Sequence, residues 1–145
     1  MKDITDFQFV KRCSNYDNLN NPNLLSQSEL LPIGIRWRFN GKQYSIKNEE
    51  GVIGVLLQDF NKLAIIEGAE SNNINKAYII NATGLIIWDI KELLYKQKNI
   101  HDCRIYYLYY EKNNLYFLLN NSSCEYRFNV DPITGKIDEL YAIRW

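Results

Sequence analysis

Asn40-Gly41, set between the runs GIRWRF and QYSIK, limits what this chain can fold into more than any other feature. It is the strongest short-range hairpin signal, because both residues tolerate the positive φ values that a two-residue loop between twisted strands requires. The turn also sets a register, with Phe39 opposite Lys42, Trp37 opposite Tyr44 and Ile35 opposite Ile46. Trp37, Tyr44, Ile35 and Ile46 then share one face, and Arg36, Arg38, Gln43 and Ser45 share the other. Period and turn agree, so this part of the chain is a β-hairpin.

Strand signals continue on both sides of it. Phe7, Phe9 and Val10 read as a short strand or as a segment laid over the core. The runs VIGVLLQ (52–58), KLAII (62–66), AYIIN (77–81) and LIIWDI (85–90) are apolar at successive positions, the pattern of central strands covered on each side. RIYYLYYE, LYFLLN, CEYRFNV and KIDELYAIRW form a closing meander, with tight turns expected at Asn113-Asn114 and Asn121-Ser122. Asp131-Pro132-Ile133-Thr134-Gly135-Lys136 has the composition of a type I turn closed by glycine in a bulge. Such a bulge would exchange the two faces of the last strand, whose register stays open.

Two short helices are expected, one over Asn23 to Leu31 between Pro22 and Pro32, the other over Lys91 to Lys98. The predicted fold class is mainly β: a twisted or partly closed antiparallel meander sheet of about eight or nine strands with two short helices. At 145 residues this makes one domain spanning 1–145, in which 1–32 is an N-terminal segment whose short helix packs on the sheet.

Charge excludes more than it assigns. Seventeen basic and seventeen acidic residues cancel. Direct duplex binding, which needs a basic excess, is not expected, and neither is an acidic mimic of nucleic acid. No run approaches the roughly 18 apolar residues of a spanning helix, and Lys2, Asp3 and Asp6 interrupt any apolar leader. Cys13, Cys103 and Cys124 form an odd set without metal-ligand spacing and read as reduced, small hydrophobes of a cytoplasmic protein.

The search for chemistry is mostly negative. His101 is the one histidine, and a strand would place it on the same face as Cys103. A thiol–imidazole pair also needs an orienting group and an oxyanion hole, and neither is visible. No zinc spacing, phosphate-cradling glycine loop or nucleophile elbow occurs, so no catalytic residue, cofactor or metal is assigned.

The two tight turns carry the register through the closing meander. They place Leu108, Tyr110, Leu115, Phe117, Leu119, Cys124, Tyr126 and Phe128 on one face. On the other face lie Tyr107, Tyr109, Glu111, Tyr116, Leu118, Glu125, Arg127 and Asn129. Tyr107, Tyr109, Glu111, Tyr116, Glu125 and Arg127 are therefore candidates for partner binding, since exposed aromatics with interspersed charges are what protein-binding surfaces use. The alternative is that the N-terminal segment or a helix covers these tyrosines.

The stretch from GIRWRFNGKQYSI to FLLNNSSCEYRFNVDPITGKIDEL, residues 33–140, resembles small bacterial immunity proteins of contact-dependent growth inhibition and related polymorphic toxin systems. The likeness lies in strand-and-turn patterning, an Asn-x-x-Gly turn before an apolar strand, and the x-Asp-Pro-x-Thr-Gly-x turn near the end. It implies a non-enzymatic inhibitor that binds the C-terminal domain of a cognate toxin, with nuclease the first activity to expect of that toxin. Two other classes stay open: a small ligand-binding or sensor β domain with a pocket lined by Trp37, Tyr44 and Trp88, and a hydrolase built on His101 and Cys103.

Overall fold

A computed structural model describes residues 3–12, 22, 24, 31–57, 61–71, 73–122 and 124–143. The described strands are β1 (Thr5–Val10), β2 (Gly34–Phe39), β3 (Lys42–Lys47), β4 (Val52–Leu57), β5 (Lys62–Glu67), β6 (Lys76–Asn81) and β7 (Ile86–Asp89). Helix α1 (Ile90–Lys98) then leads to β8 (Arg104–Glu111), β9 (Asn114–Asn120), β10 (Glu125–Val130) and β11 (Tyr141–Ala142). Sequence neighbours pair antiparallel as in a meander, but the strands divide into three sheets, β1-β2-β3, β4-β5-β6-β7 and β8-β9-β10-β11.

This corrects the expectation of one sheet of eight or nine strands: eleven are described, in three layers. The reason lies in the doubly apolar strands. Leu63 and Ile65 of β5 and Tyr78 and Ile80 of β6 bury on one face of the middle sheet, with Ile35 and Trp37 of the first sheet. Their neighbours Ala64, Ile66, Ala77 and Ile79 bury on the opposite face, with Leu108, Phe117 and Phe128 of the third sheet and Ile90 and Leu94 of α1. Because successive strand residues point to opposite faces, a fully apolar strand demands a covering layer on each side. One continuous sheet could not supply both.

Polar bridges join the layers. The Trp37 indole Nε1 donates to the Ala82 carbonyl at 2.8 Å across the first interface. At the second, buried Asn75 donates to the Ile105 carbonyl and accepts from the Ile105 N–H, both at 2.8 Å. Trp88 Nε1 donates to the Pro132 carbonyl at 3.0 Å, and Gln97 both donates to the Gly135 carbonyl and accepts from the Ile137 N–H at 2.8 Å. Gly135 (φ 76°) is the one residue type that fits there, since a Cβ would lie 2.8 Å from the Trp88 ring.

The first hairpin has the expected register, Phe39–Lys42, Trp37–Tyr44 and Ile35–Ile46, with positive φ at both Asn40 (54°) and Gly41 (79°). Two other turns differ. The β8–β9 tip is Lys112-Asn113 (φ 50° and 64°) rather than Asn113-Asn114, and Asn120 pairs with Glu125 rather than across a two-residue loop at Asn121-Ser122. Moving a tip by one residue changes each partner by two, and a period of two leaves every side chain on its predicted face.

Ile90, expected to end a strand, instead opens α1. The Asp89 carboxylate caps the helix by accepting the Glu92 N–H at 3.3 Å, and left-handed Asn99 ends it. The helix expected over Asn23 to Leu31 lies largely outside the described residues, so α1 is the one helix among them. Among the described residues of KIDELYAIRW, the expected strand is reduced to an isolated Val130–Ile137 bridge followed by β11.

Candidate functional site

The six candidate residues all stand on the outer face of the third sheet. Phe117 and Phe128, fully buried on the inner face, fix β9 and β10 against the core. Alternation then turns their neighbours Tyr116 and Arg127 outward. Tyr109 pairs directly with Tyr116, and their rings stack 4.9 Å apart at 25°. The Arg127 guanidinium lies 5.2 Å from the Tyr116 ring centre, and its Nη1 donates to the Tyr109 hydroxyl at 3.4 Å. That bond favours the charged guanidinium and raises an already high pKa. Tyr107 continues the row, 6.4 Å from Tyr109.

The structure thus brings Tyr107, Tyr109, Tyr116 and Arg127 into one cluster. Glu111 and Glu125 stand at opposite ends of the face. Glu111 closes the β8–β9 hairpin opposite Asn114, while Glu125 pairs with Asn120 at the far end and one of its carboxylate oxygens, Oε2, is buried without a hydrogen-bond partner among the described residues. Tyr106, the extra residue of a bulge between Ile105 and Tyr107, has a hydroxyl in the same condition. Burial first, and then the nearby Glu125 charge, push its phenol pKa up.

Tyr141 belongs to this site and was not found from the sequence. Continuing the Val130–Ile137 register would set Arg127 opposite Leu140. One extra residue intervenes, so Arg127 pairs with Tyr141 and their guanidinium–ring distance is 6.0 Å. Leu140 packs against the core instead. The signal was the Asp131-Pro-Ile-Thr-Gly135 turn, which announced a bulge without fixing where its extra residue would fall. Asn114, Tyr116, Arg127, Asn129, Glu139 and Tyr141 line an open concavity of about 490 Å³ beside this cluster.

The described N-terminal strand β1 pairs with β2, and α1 packs on β6 and β7, so neither covers the outer tyrosines. Tyr107 and Tyr141 remain 48% and 56% exposed. Most of residues 13–30 lie outside the described residues.

His101 and Cys103 line one open concavity together with Lys91, Asp102 and Arg104. His101 Nε2 bonds to Asn99 Oδ1 at 3.0 Å, and the imidazole packs edge-on to Tyr95 at 4.7 Å. Burial raises the Cys103 thiol pKa, with nearby Lys91 opposing the shift. A nucleophilic cysteine needs the reverse, a thiolate favoured near neutrality. Among the described residues no three His, Cys, Asp or Glu side chains group as metal ligands, and no helix is long and apolar enough to cross a membrane. Trp37 stacks on Tyr44 at 5.8 Å in one core, whereas Trp88 packs against the other, so these three side chains do not line one pocket.

No protein-family model matches the sequence, and no curated protein matches it significantly. The fold, however, is shared with a chain of the structure of Tne2 in complex with Tni2. The TM-score is 0.71 at 17% identity, and the alignment covers 97% of this chain and 99% of that chain. What the two chains share over their full lengths is the three-layer β architecture.

Proposed function

We propose that this protein is an immunity protein that silences a cognate toxin domain by tight stoichiometric binding, with no catalysis of its own. The observation that carries this reading is the full-length fold likeness to a chain solved in complex with another protein. The resemblance of residues 33–140 to immunity proteins of polymorphic toxin systems, contact-dependent growth inhibition among them, supports it. The site of action is the outer face of the third sheet, centred on Tyr109, Tyr116, Arg127 and Tyr141. Tyrosine and arginine are the residue types that dominate binding energy at protein interfaces, and here they are arranged in advance.

The protein acts in the cytoplasm, where it meets a toxin domain after delivery or before export. Silencing a lethal enzyme requires near-nanomolar affinity, about −12 kcal/mol, within reach of a standard interface of roughly 1,600 Å². Calorimetry against the toxin domain encoded beside its gene tests this, with nuclease activity assayed first. One-to-one binding that abolishes toxicity is expected, with an on-rate that falls as salt is added. Absence of binding by the unmutated protein would end the reading.

A further inference from the structure

The Arg127 guanidinium is set in place but only partly used. The Tyr116 and Tyr141 rings lie 5.2 and 6.0 Å away, and the Tyr109 hydroxyl is its one hydrogen-bond acceptor among the described residues, at a long 3.4 Å. No carboxylate of the described residues pairs with it; Arg38–Asp6 and Lys96–Glu92 are ion pairs elsewhere in the molecule. An arginine ordinarily surrenders rotamer freedom and hydration to make such contacts. This one has already been held between rings, with most of its five donors still free for an acceptor.

We propose that the concavity beside Arg127 receives a single carboxylate side chain of the protein partner, held by the guanidinium fork. The proposal rests on the immunity reading and adds the chemistry of the contact. A carboxylate matches the planar fork in bidentate geometry. The Asn129 amide, which donates to Asn114 Oδ1 at 3.4 Å, stands in the same concavity as a second side-chain donor. Asp138 and Glu139 form its other side, and Glu111 stands beyond at the hairpin end.

The lining therefore carries one cation with two carboxylates beside it. Its complement is an acidic side chain on the partner flanked by basic ones. A nucleic-acid strand fits poorly, because it would carry further phosphates across Asp138 and Glu139. A protein surface can place one negative charge at the centre and positive charges outside it.

Arg127→Gln, Arg127→Lys and Arg127→Glu test this against the toxin domain encoded beside the gene, with melting curves as the check on folding. Binding is expected to weaken about 100-fold in Arg127→Gln and about tenfold in Arg127→Lys, which keeps the charge but loses the fork. Reversal of one acidic toxin residue to arginine should restore binding to Arg127→Glu. The proposal falls if Arg127→Gln binds within about threefold of the unmutated protein, or if reversal of no toxin carboxylate restores the Glu variant. It also falls if Arg127→Gln instead abolishes self-association in sedimentation or binding to a single-stranded oligonucleotide. Loss of binding on Tyr109→Ala with Tyr116→Ala, together with full binding by Arg127→Gln, would remove the carboxylate site and leave the immunity reading standing. No binding by the unmutated protein would remove both.

Discussion

The two faces of the third sheet use the same strands for opposite ends. On the inner face Phe117 and Phe128 stack 5.8 Å apart at 19°, both fully buried. On the outer face Tyr109 and Tyr116 stack 4.9 Å apart at 25°, a similar geometry beside water and next to Arg127. The inner pair removes large apolar area from solvent and excludes alternatives through close packing. The outer pair stabilises the fold less, since its rings stay partly open to water while the inner rings are wholly covered. What it supplies is a rigid aromatic platform whose ordering cost is met before any partner arrives. Similar stacking thus has different consequences according to what lies above it.

Substitutions should separate the faces. Phe117→Ala is expected to destabilise by about 3–5 kcal/mol, combining lost transfer energy with a residual cavity. Denaturant midpoints at unchanged slope would check this, and a loss under about 1 kcal/mol would break the comparison. Asn75→Ala should cost about 2 kcal/mol by orphaning the buried Ile105 N–H and C=O, which Asn75 satisfies at the bulge beside Tyr106. Urea unfolding measures that cost, and proton chemical shifts of Tyr106 and Tyr107 would report whether the outer face loses its arrangement with it.

Removing both outer rings, Tyr109→Ala with Tyr116→Ala, should cost only about 1 kcal/mol of stability while weakening toxin binding at least tenfold. A collapse of the fold would show that the outer face is structural after all.

The smallest effect is expected at Asp131, whose turn delivers Tyr141 to the outer face. Its carboxylate accepts the Ile133 and Thr134 N–H groups at 2.8 and 3.3 Å, and the Ile133 bond foremost lowers its pKa below the usual carboxylate value. The sign follows from linkage. A depressed native pKa gives stability that is present above the unfolded-state value of about 3.9 and lost as pH falls through the lower native value. Exposure keeps this to about 0.5 kcal/mol. Asp131→Ala should therefore melt slightly below the unmutated protein at pH 6, with the difference closing near pH 2. A difference that persists unchanged in acid would assign the effect to something other than this carboxylate.

The hairpin at Asn40-Gly41, the strand character of nearly every strand segment, and the sharing of faces among the side chains of β8 to β10 were legible in the residues alone. These properties are local or have period two. That is why the face assignment survived two displaced turns: a tip moved from Asn113-Asn114 to Lys112-Asn113 shifts partners by two and changes no face. The middle strands also announced burial on both faces through runs such as KLAII.

That the covering layers are separate sheets emerged from packing, because which sheet covers which face depends on contacts such as Trp37 to Ala82 that join distant segments. Packing alone placed Tyr141 beside Arg127. The turn from Asp131 to Lys136 is held by Trp88 and Gln97 from another layer. The one-residue offset before β11 then turns Leu140 inward and Tyr141 outward. A one-residue offset reverses a face, and local composition does not fix its position.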